Sequence, residues 1–177
     1  HKEATRMLEK LGVVWDSRNV EQELDELKKY LKLAEQGDSE AQYRLADKYY
    51  QEAVKWYERA AELGHPKAQF CMGILFRDGI GGVPRNKAKA IEWFAKAAEQ
   101  GYSKAQMSLA GMYYKGQGAT KNLEEAVKWF RKAAEQGNPQ AQYTLGMMYH
   151  KGRGVAQSAA EAEKWYQKAA EQGYPKK

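Results

Sequence analysis

The chain holds few side chains able to do chemistry, and their spacing limits what they can do. The three histidines, His1, His65 and His150, lie far apart. None has a second His or a carboxylate at a zinc-ligand spacing such as His-Glu-x-x-His, so no metal is expected. Cys71, the single cysteine, can form neither an intramolecular disulfide nor a cysteine-based metal cluster. As a nucleophile it would need a remote base, and it reads instead as a half-buried helix cysteine. The pair Glu124-Glu125 reads as the first turn of a helix, where negative charge favours the dipole. General acid-base catalysis would need a shielded pocket that no spacing reveals. The bends Gly79-Ile80-Gly81-Gly82, Gly116-Gln117-Gly118 and Gly152-Arg153-Gly154 lack the Gly-Lys-Ser/Thr ending of phosphate loops and follow no strand, so they are turns. No catalytic residue and no cofactor is expected.

The elements that carry these residues are written as a repeat. AVKWFRKAAEQG at 126–137 has relatives at 53–64 (AVKWYERAAELG), 90–101 (AIEWFAKAAEQG) and 162–173 (AEKWYQKAAEQG). Upstream of each stands an Ala-Gln pair, at Ala41, Ala68, Ala105 and Ala141, with successive spacings of 27, 37 and 36. The pair opens a helix A with Leu and an aromatic four residues later on one face, as in Leu45 with Tyr49, Leu109 with Tyr113 and Leu145 with Tyr149. Helix A stops at the glycine bend, and helix B follows with a stripe of Ala126, Trp129, Phe130, Ala133 and Ala134. Gly64, Gly101, Gly137 and Gly173 fit the C′ position of helix B. Pro66, Pro139 and Pro175 two residues later suit the first turn of the next helix A. Such short connections predict antiparallel pairs. The Trp row, Trp56, Trp93, Trp129 and Trp165, recurs with the signature and reads as core, not as a stacking platform for sugars or bases.

Two regions fit the frame poorly. Residues 2–37 read as a degenerate capping unit, with Ala4, Leu8 and Leu11 for helix A, a connection over 12–20, and Leu27, Tyr30, Ala34 and Glu35-Gln36-Gly37 for helix B. Trp15 matches no repeat position and is expected at the end of the stack. In the second unit Ala41 and Trp56 are only 15 residues apart, against 24 from Ala105 to Trp129. The spacing predicts a glycine loop of nine residues absent between Tyr50 and Gln51; without it, Ala41 to Leu63 would continue as one helix about 33 Å long. The expected segments are 1–37, 38–64, 65–101, 102–137 and 138–173, with a tail at 174–177.

Bulk properties agree with a repeat array. The chain has 177 residues, 43% of them hydrophobic, and no apolar run approaches the roughly 20 residues needed to span a bilayer. Its formal charge of +6 is scattered through every unit, which argues against nucleic acid as a partner. His1 in place of Met is expected of a processed or cut chain, so the compartment stays open, bacterial envelope or cytoplasm.

The unit AQYTLGMMYHKGRGV…EAEKWYQKAAEQG resembles the Sel-one-like repeat (SLR) family, α/α repeats related to tetratricopeptide repeats, strongly over 38–173 and weakly over 2–37. The resemblance implies an all-α, right-handed α/α superhelical solenoid of about five antiparallel helix pairs, with the A helices lining the concave side. It also implies an adaptor, an interaction scaffold without catalysis, and the Glu-Gln-Gly spelling points to bacteria. Some bacterial members carry a disulfide in every repeat; with one cysteine this chain departs from them.

Residues outside the signature on helix A then form rows facing the groove. They are Glu40, Tyr43, Asp47 and Tyr50; Lys67, Phe70, Ile74 and Arg77; Lys104, Met107, Gly111 and Tyr114; and Gln140, Tyr143, Met147 and His150. Rings and Met beside Lys and Arg suit a protein or peptide partner, while Tyr43, Phe70, Met107 and Tyr143 could equally pack between adjacent A helices. A cell-wall glycan is the alternative ligand, and a hydrolase a third reading. The last helix B ends without a polar capping unit, so further repeats or self-association are expected at that C-terminal end.

Overall fold

The computed structural model of the protein describes residues 17–174, without the side chains of 17–24, 27 and 46. His1, Ala4, Leu8, Leu11, Trp15, the side chain of Leu27, and Pro175 lie outside the described residues. Among these residues there are eight α-helices and no strand: α1 (Ser17–Glu35), α2 (Ser39–Glu62), α3 (Pro66–Asp78), α4 (Lys87–Glu99), α5 (Ser103–Lys115), α6 (Leu123–Glu135), α7 (Pro139–Lys151) and α8 (Ala159–Glu171). The chain divides into two compact units, 1–52 and 53–177.

The first unit holds α1 and the beginning of α2. The connection expected over 12–20 gives way to helix by Ser17, since no Gly or Pro follows to prevent it. α1 ends at Gly37, with φ +88°. Asp38 then opens α2, its carboxylate accepting a hydrogen bond from the Ala41 N–H at 2.8 Å. Ala41 and Leu45 are buried. The Gln42 amide donates to the Ala34 carbonyl at 3.0 Å, and Arg44 donates to the Tyr30 hydroxyl at 2.9 Å.

The second unit contains three helical hairpins, α3/α4, α5/α6 and α7/α8. Each A helix ends on a glycine in the left-handed region, Gly79, Gly116 or Gly152, which lets the chain reverse. Each B helix is started by Asn86, Asn122 or Ser158, whose side chain accepts from an N–H three residues on. The string Ala-Ala-Glu-Gln-Gly forms the helix end itself: Gly137 donates to Ala134 and Asn138 donates to Ala133, the paired bonds of a Schellman motif. The second glycine of the bend has a separate task. A Cβ on Gly118 would lie 2.5 Å from the Lys87 carbonyl, and one on Gly154 would strike the Leu123 carbonyl, so this glycine lets a bend rest on the start of the preceding helix B.

Between hairpins the signature glutamines are the polar seam. Gln69, Gln106 and Gln142 are buried and donate to Ala61, Ala98 and Ala134 of the preceding helix B. Each accepts in turn from the Gln that ends its own helix B, Gln100, Gln136 or Gln172, at 2.7–2.8 Å. A buried amide left unpaired would cost about 1–3 kcal/mol, so the pair spells out register as well as stability. Around it the core alternates small and large residues, with Phe94, Leu109 and Leu145 fully buried among alanines.

The long helix α2 departs from the sequence expectation. The chain runs from Tyr50 into Gln51 within one unbroken helix of 24 residues, and the nine-residue loop expected there is not present. No Gly or Pro interrupts 39–62, so nothing stops propagation. A consequence is that Trp56, expected in the core with the other Trp residues, is 64% exposed. Trp129 and Trp165 are buried and Trp93 is half-buried.

Candidate functional site

The signature residues of each A helix turn inward, and this leaves a second row at the surface. On α5, for example, Ala105, Gln106, Leu109, Ala110 and Met112 are buried. Met107, Gly111 and Tyr114 on the same helix are half-buried and Lys104 is exposed. The same division holds on α3, with Phe70, Ile74 and Arg77 half-buried and Lys67 exposed, and on α7, with Tyr143 and Met147 half-buried and Gln140 and His150 exposed. In the first unit Glu40, Tyr43, Asp47 and Tyr50 are exposed.

The structure brings some of these residues together. Tyr114 and Met147 line one cavity of about 220 Å³, with Phe130, Thr144, Lys151 and Arg153. Arg153 donates to the Tyr114 hydroxyl at 2.6 Å, bridging two hairpins across the mouth of this cavity. A ring, a thioether and two cations around an apolar floor suit a peptide carrying an apolar side chain beside an acidic group. Lys67 and Phe70 line a second cavity of about 720 Å³ in which Trp56, Tyr57, His65 and Cys71 also take part.

Other members of the rows are tied into packing. Phe70 meets the Phe94 ring at 5.6 Å and the Tyr102 ring at 5.3 Å, and Tyr143 meets Tyr166 and Tyr174, both at 5.4 Å. Arg77 makes two hydrogen bonds to Asp78, at 2.8 and 2.7 Å, and this guanidinium holds the Asp78 carboxyl below its ordinary range. Ile74 and Met107 pack against the edge of the core. Lys104, Gln140 and His150 stand at the surface, outside both cavities.

Arg153, Lys151 and Thr144 escaped the sequence reading. For Arg153 a signal existed: it is the residue between two obligatory glycines, where other units carry Gln117 and Ile80, so it varies while its neighbours cannot. A further regularity is a cation three residues after each Trp, with Arg59, Lys96, Lys132 and Lys168 lying over Trp56, Trp93, Trp129 and Trp165 at 4.0–5.1 Å from the ring centre.

Cys71 and His65 share the larger cavity, but they are not arranged as nucleophile and base. The His65 Nδ1 accepts from the Ala68 N–H at 3.4 Å and so caps α3. Burial pushes the Cys71 thiol up, with Tyr57 opposing the shift, which is the reverse of what an attacking thiolate needs. Among the described residues no group of three or more His, Cys, Asp or Glu could hold a metal ion. Among them too, no helix is long and apolar enough to cross a membrane.

The model of the Sel1 repeat matches residues 39–52, 50–65, 66–102, 103–138 and 139–174. Among solved structures, the chain is similar to c5321, a protective antigen present in uropathogenic Escherichia coli strains that displays an SLR fold. The identity is 39% and the TM-score 0.68, over 83% of this chain and 33% of the other, so the chain spans about a third of that protein's length. It is also similar to a Sel1 repeat protein from Oxalobacter formigenes, with 39% identity and a TM-score of 0.63 over 68% of this chain and 90% of the other. Cysteine rich protein B of Helicobacter pylori shares the fold at 24% identity, with a TM-score of 0.55 over 72% and 90% of the two chains. No curated protein matches the chain. Sel1 repeat proteins are generally non-catalytic scaffolds that mediate protein–protein interactions. Repeat matches that run through 39–174 and hairpins joined by the same glutamine seam make this chain a member of the Sel1 repeat family, an all-α solenoid of the tetratricopeptide-like kind.

Proposed function

We propose that the chain is a scaffold that holds an extended peptide or partner segment against the variable row of its A helices, centred on Tyr114 and Met147. The observation that carries this reading is the cavity between α5 and α7, where variable residues of two hairpins meet beside Arg153 and Lys151. The signature residues around it are committed to the core, so specificity falls to the row that the repeat leaves free. Lys67, Arg77, Lys104, Gln140 and His150 extend the row as polar contacts, and Phe70, Ile74, Met107 and Tyr143 supply its apolar floor. In the first unit Tyr43 and Asp47 occupy the same register.

The test is affinity. A partner identified by cross-linking should bind Met147→Ala and Tyr114→Ala about fivefold or more weakly, as expected for central apolar contacts. Circular dichroism should show the helices unchanged, because both side chains are half-exposed. Equal affinity for the wild type and both variants would move the binding surface elsewhere. Retention on peptidoglycan at moderate salt, with no protein partner, would replace the adaptor reading by a glycan one.

A further inference from the structure

The larger cavity has a shape that the chain itself explains. In each hairpin, helix B offers four positions to the helix A before it: an Ala, the Trp, the aromatic after it, and the first Ala of the Ala-Ala pair. Ala126, Trp129, Phe130 and Ala133 are all buried in this way. The contact is close, since a Cβ on Gly73 would lie 2.5 Å from the Phe94 ring and one on Gly146 would lie 2.7 Å from the Tyr166 ring. On α2 the same four positions are Ala53, Trp56, Tyr57 and Ala60. Here Ala53, Trp56 and Tyr57 are exposed and Ala60 is half-buried, and the four form one wall of the cavity of about 720 Å³. Ala61, which faces the following helix A, is buried like Ala98 and Ala134. The helix therefore has its successor and lacks its predecessor. The cavity is the vacant seat of a helix A.

The aromatic contacts name the missing occupant. Phe70 of helix A sits between Phe94 and Tyr102, and Tyr143 sits between Tyr166 and Tyr174. The corresponding trio is Tyr43, Tyr57 and His65. Tyr57 and His65 line the seat, and Tyr43 is 68% exposed. The helix A of this repeat exists in the sequence at 41–50, and the family model matches its two halves separately, at 39–52 and 50–65, where other repeats match whole. Because the two halves are fused into α2, Tyr43 and Tyr57 are separated by 14 positions on one helix, about 21 Å along its axis. Within one copy they cannot meet. The glutamine that ties helix B to its own helix A elsewhere is also gone here: its place is taken by Leu63, 89% exposed.

We propose that this seat is filled by the 41–50 segment of a second copy of the chain, with the two α2 helices antiparallel about a twofold axis and each copy's Tyr43 set against the other's Tyr57 and His65. The exchange can be reciprocal because positions 14 apart on an α-helix differ by only about 40° in azimuth. Tyr49, Tyr50, Ala53, Trp56, Tyr57 and Ala60 then fall within one arc of about 120°, which contains no charged residue. Removing the loop of a helical hairpin is a known physical route to exchange of the element between copies, since the same contacts remain available only between chains. The seat shares Lys67 and Phe70 with one end of the row proposed for partner binding, and Tyr43 lies on the exchanged segment. The centre of that row, Tyr114 and Met147, lines a separate cavity, so variants there and variants in the arc let the two readings fail separately.

Sedimentation equilibrium of the full chain at roughly 50 μM should give twice the chain mass of 20.2 kDa. Ala53→Glu and Tyr57→Glu place a charge in the arc and should each return the mass to one chain with unchanged helical circular dichroism. Inserting KGQGATKNL, the sequence of residues 115–123, between Tyr50 and Gln51 restores the bend and should also give a single chain, because the hairpin can then close within one copy. A wild-type mass of one chain overturns the proposal. So does a dimer that survives both substitutions and the insertion.

Discussion

Residues 53–64 and 126–137 are spelled almost alike, AVKWYERAAELG against AVKWFRKAAEQG, and both meet the helix A that follows, yet the face that should meet the helix A before them differs. In α6 the Trp and Phe are buried and the terminal Gln bonds to Gln106 at 2.8 Å. In the second half of α2 the Trp and Tyr face the solvent and a Leu stands where the Gln would be. The two segments have the same helix propensity and the same apolar pattern. What separates them is nine residues of loop, which decide whether a helix A can return to cover the stripe. Local sequence sets which face is apolar, and connection length sets whether that face finds a partner in its own chain.

The widest effect should come from the Trp row. Trp165→Ala should lower the stability of the second unit by about 3–5 kcal/mol, the cost of an emptied core site. Trp56→Ala, measured by urea unfolding in dilute solution, should cost less than about 1 kcal/mol, because its ring is mostly exposed. Comparable losses at the two positions would erase the difference between the two segments. A smaller effect is expected at the glycines. Gly154→Ala forces a Cβ onto the Leu123 carbonyl at φ +72° and should lower thermal stability by about 2 kcal/mol or more. Gly64→Ala has φ +90° and open space around it, so its backbone strain alone, about 1 kcal/mol, should remain.

The glutamine seam gives a finer contrast. Gln136→Ala removes the Gln106 partner and should cost about 1 kcal/mol in urea unfolding, whereas Leu63→Gln should change stability by less than about 0.5 kcal/mol in the natural chain. In the chain with the nine-residue insertion, Leu63→Gln should become stabilising, since Gln42 of the same copy is then within reach. The smallest effect concerns pH. Arg77 holds the Asp78 carboxyl below its ordinary value of 3.8, so the contribution of this pair is present above that value and lost as pH falls through the lowered one. The side chains are about a third exposed, so the loss on acidification should be a few tenths of a kcal/mol, visible only as a difference between wild type and Asp78→Asn below about pH 4.

Much of the architecture was legible. The C′ glycines, the prolines at the start of α3 and α7 and the inward face of the A helices follow from spacing, because each repeats one local rule of backbone or periodicity. The row at Tyr114 and Met147 lies outside the signature, so elimination leaves it, half-buried at the edge of a cavity. Arg153 was missed because its role depends on reaching from one hairpin's bend to the hydroxyl of another helix, a distance that no spacing within a unit encodes. Phe70 and Tyr143 illustrate a different limit. Their register left groove and packing equally open, and only the positions of Tyr102 and Tyr174, which follow the C′ glycines of helix B, showed how much of each ring is spent on packing.

AVKWFRKAAEQG and its copies determined by themselves that the chain is a stack of helix pairs, which residues stack them and which remain free. They could not say which copy would be left without a cover. That depended on whether 39–62 would bend or continue, a question of helix propagation across a junction with no Gly or Pro, and on where the neighbouring A helix could then reach. Burial is a property of two surfaces, and the sequence of one repeat describes only one of them.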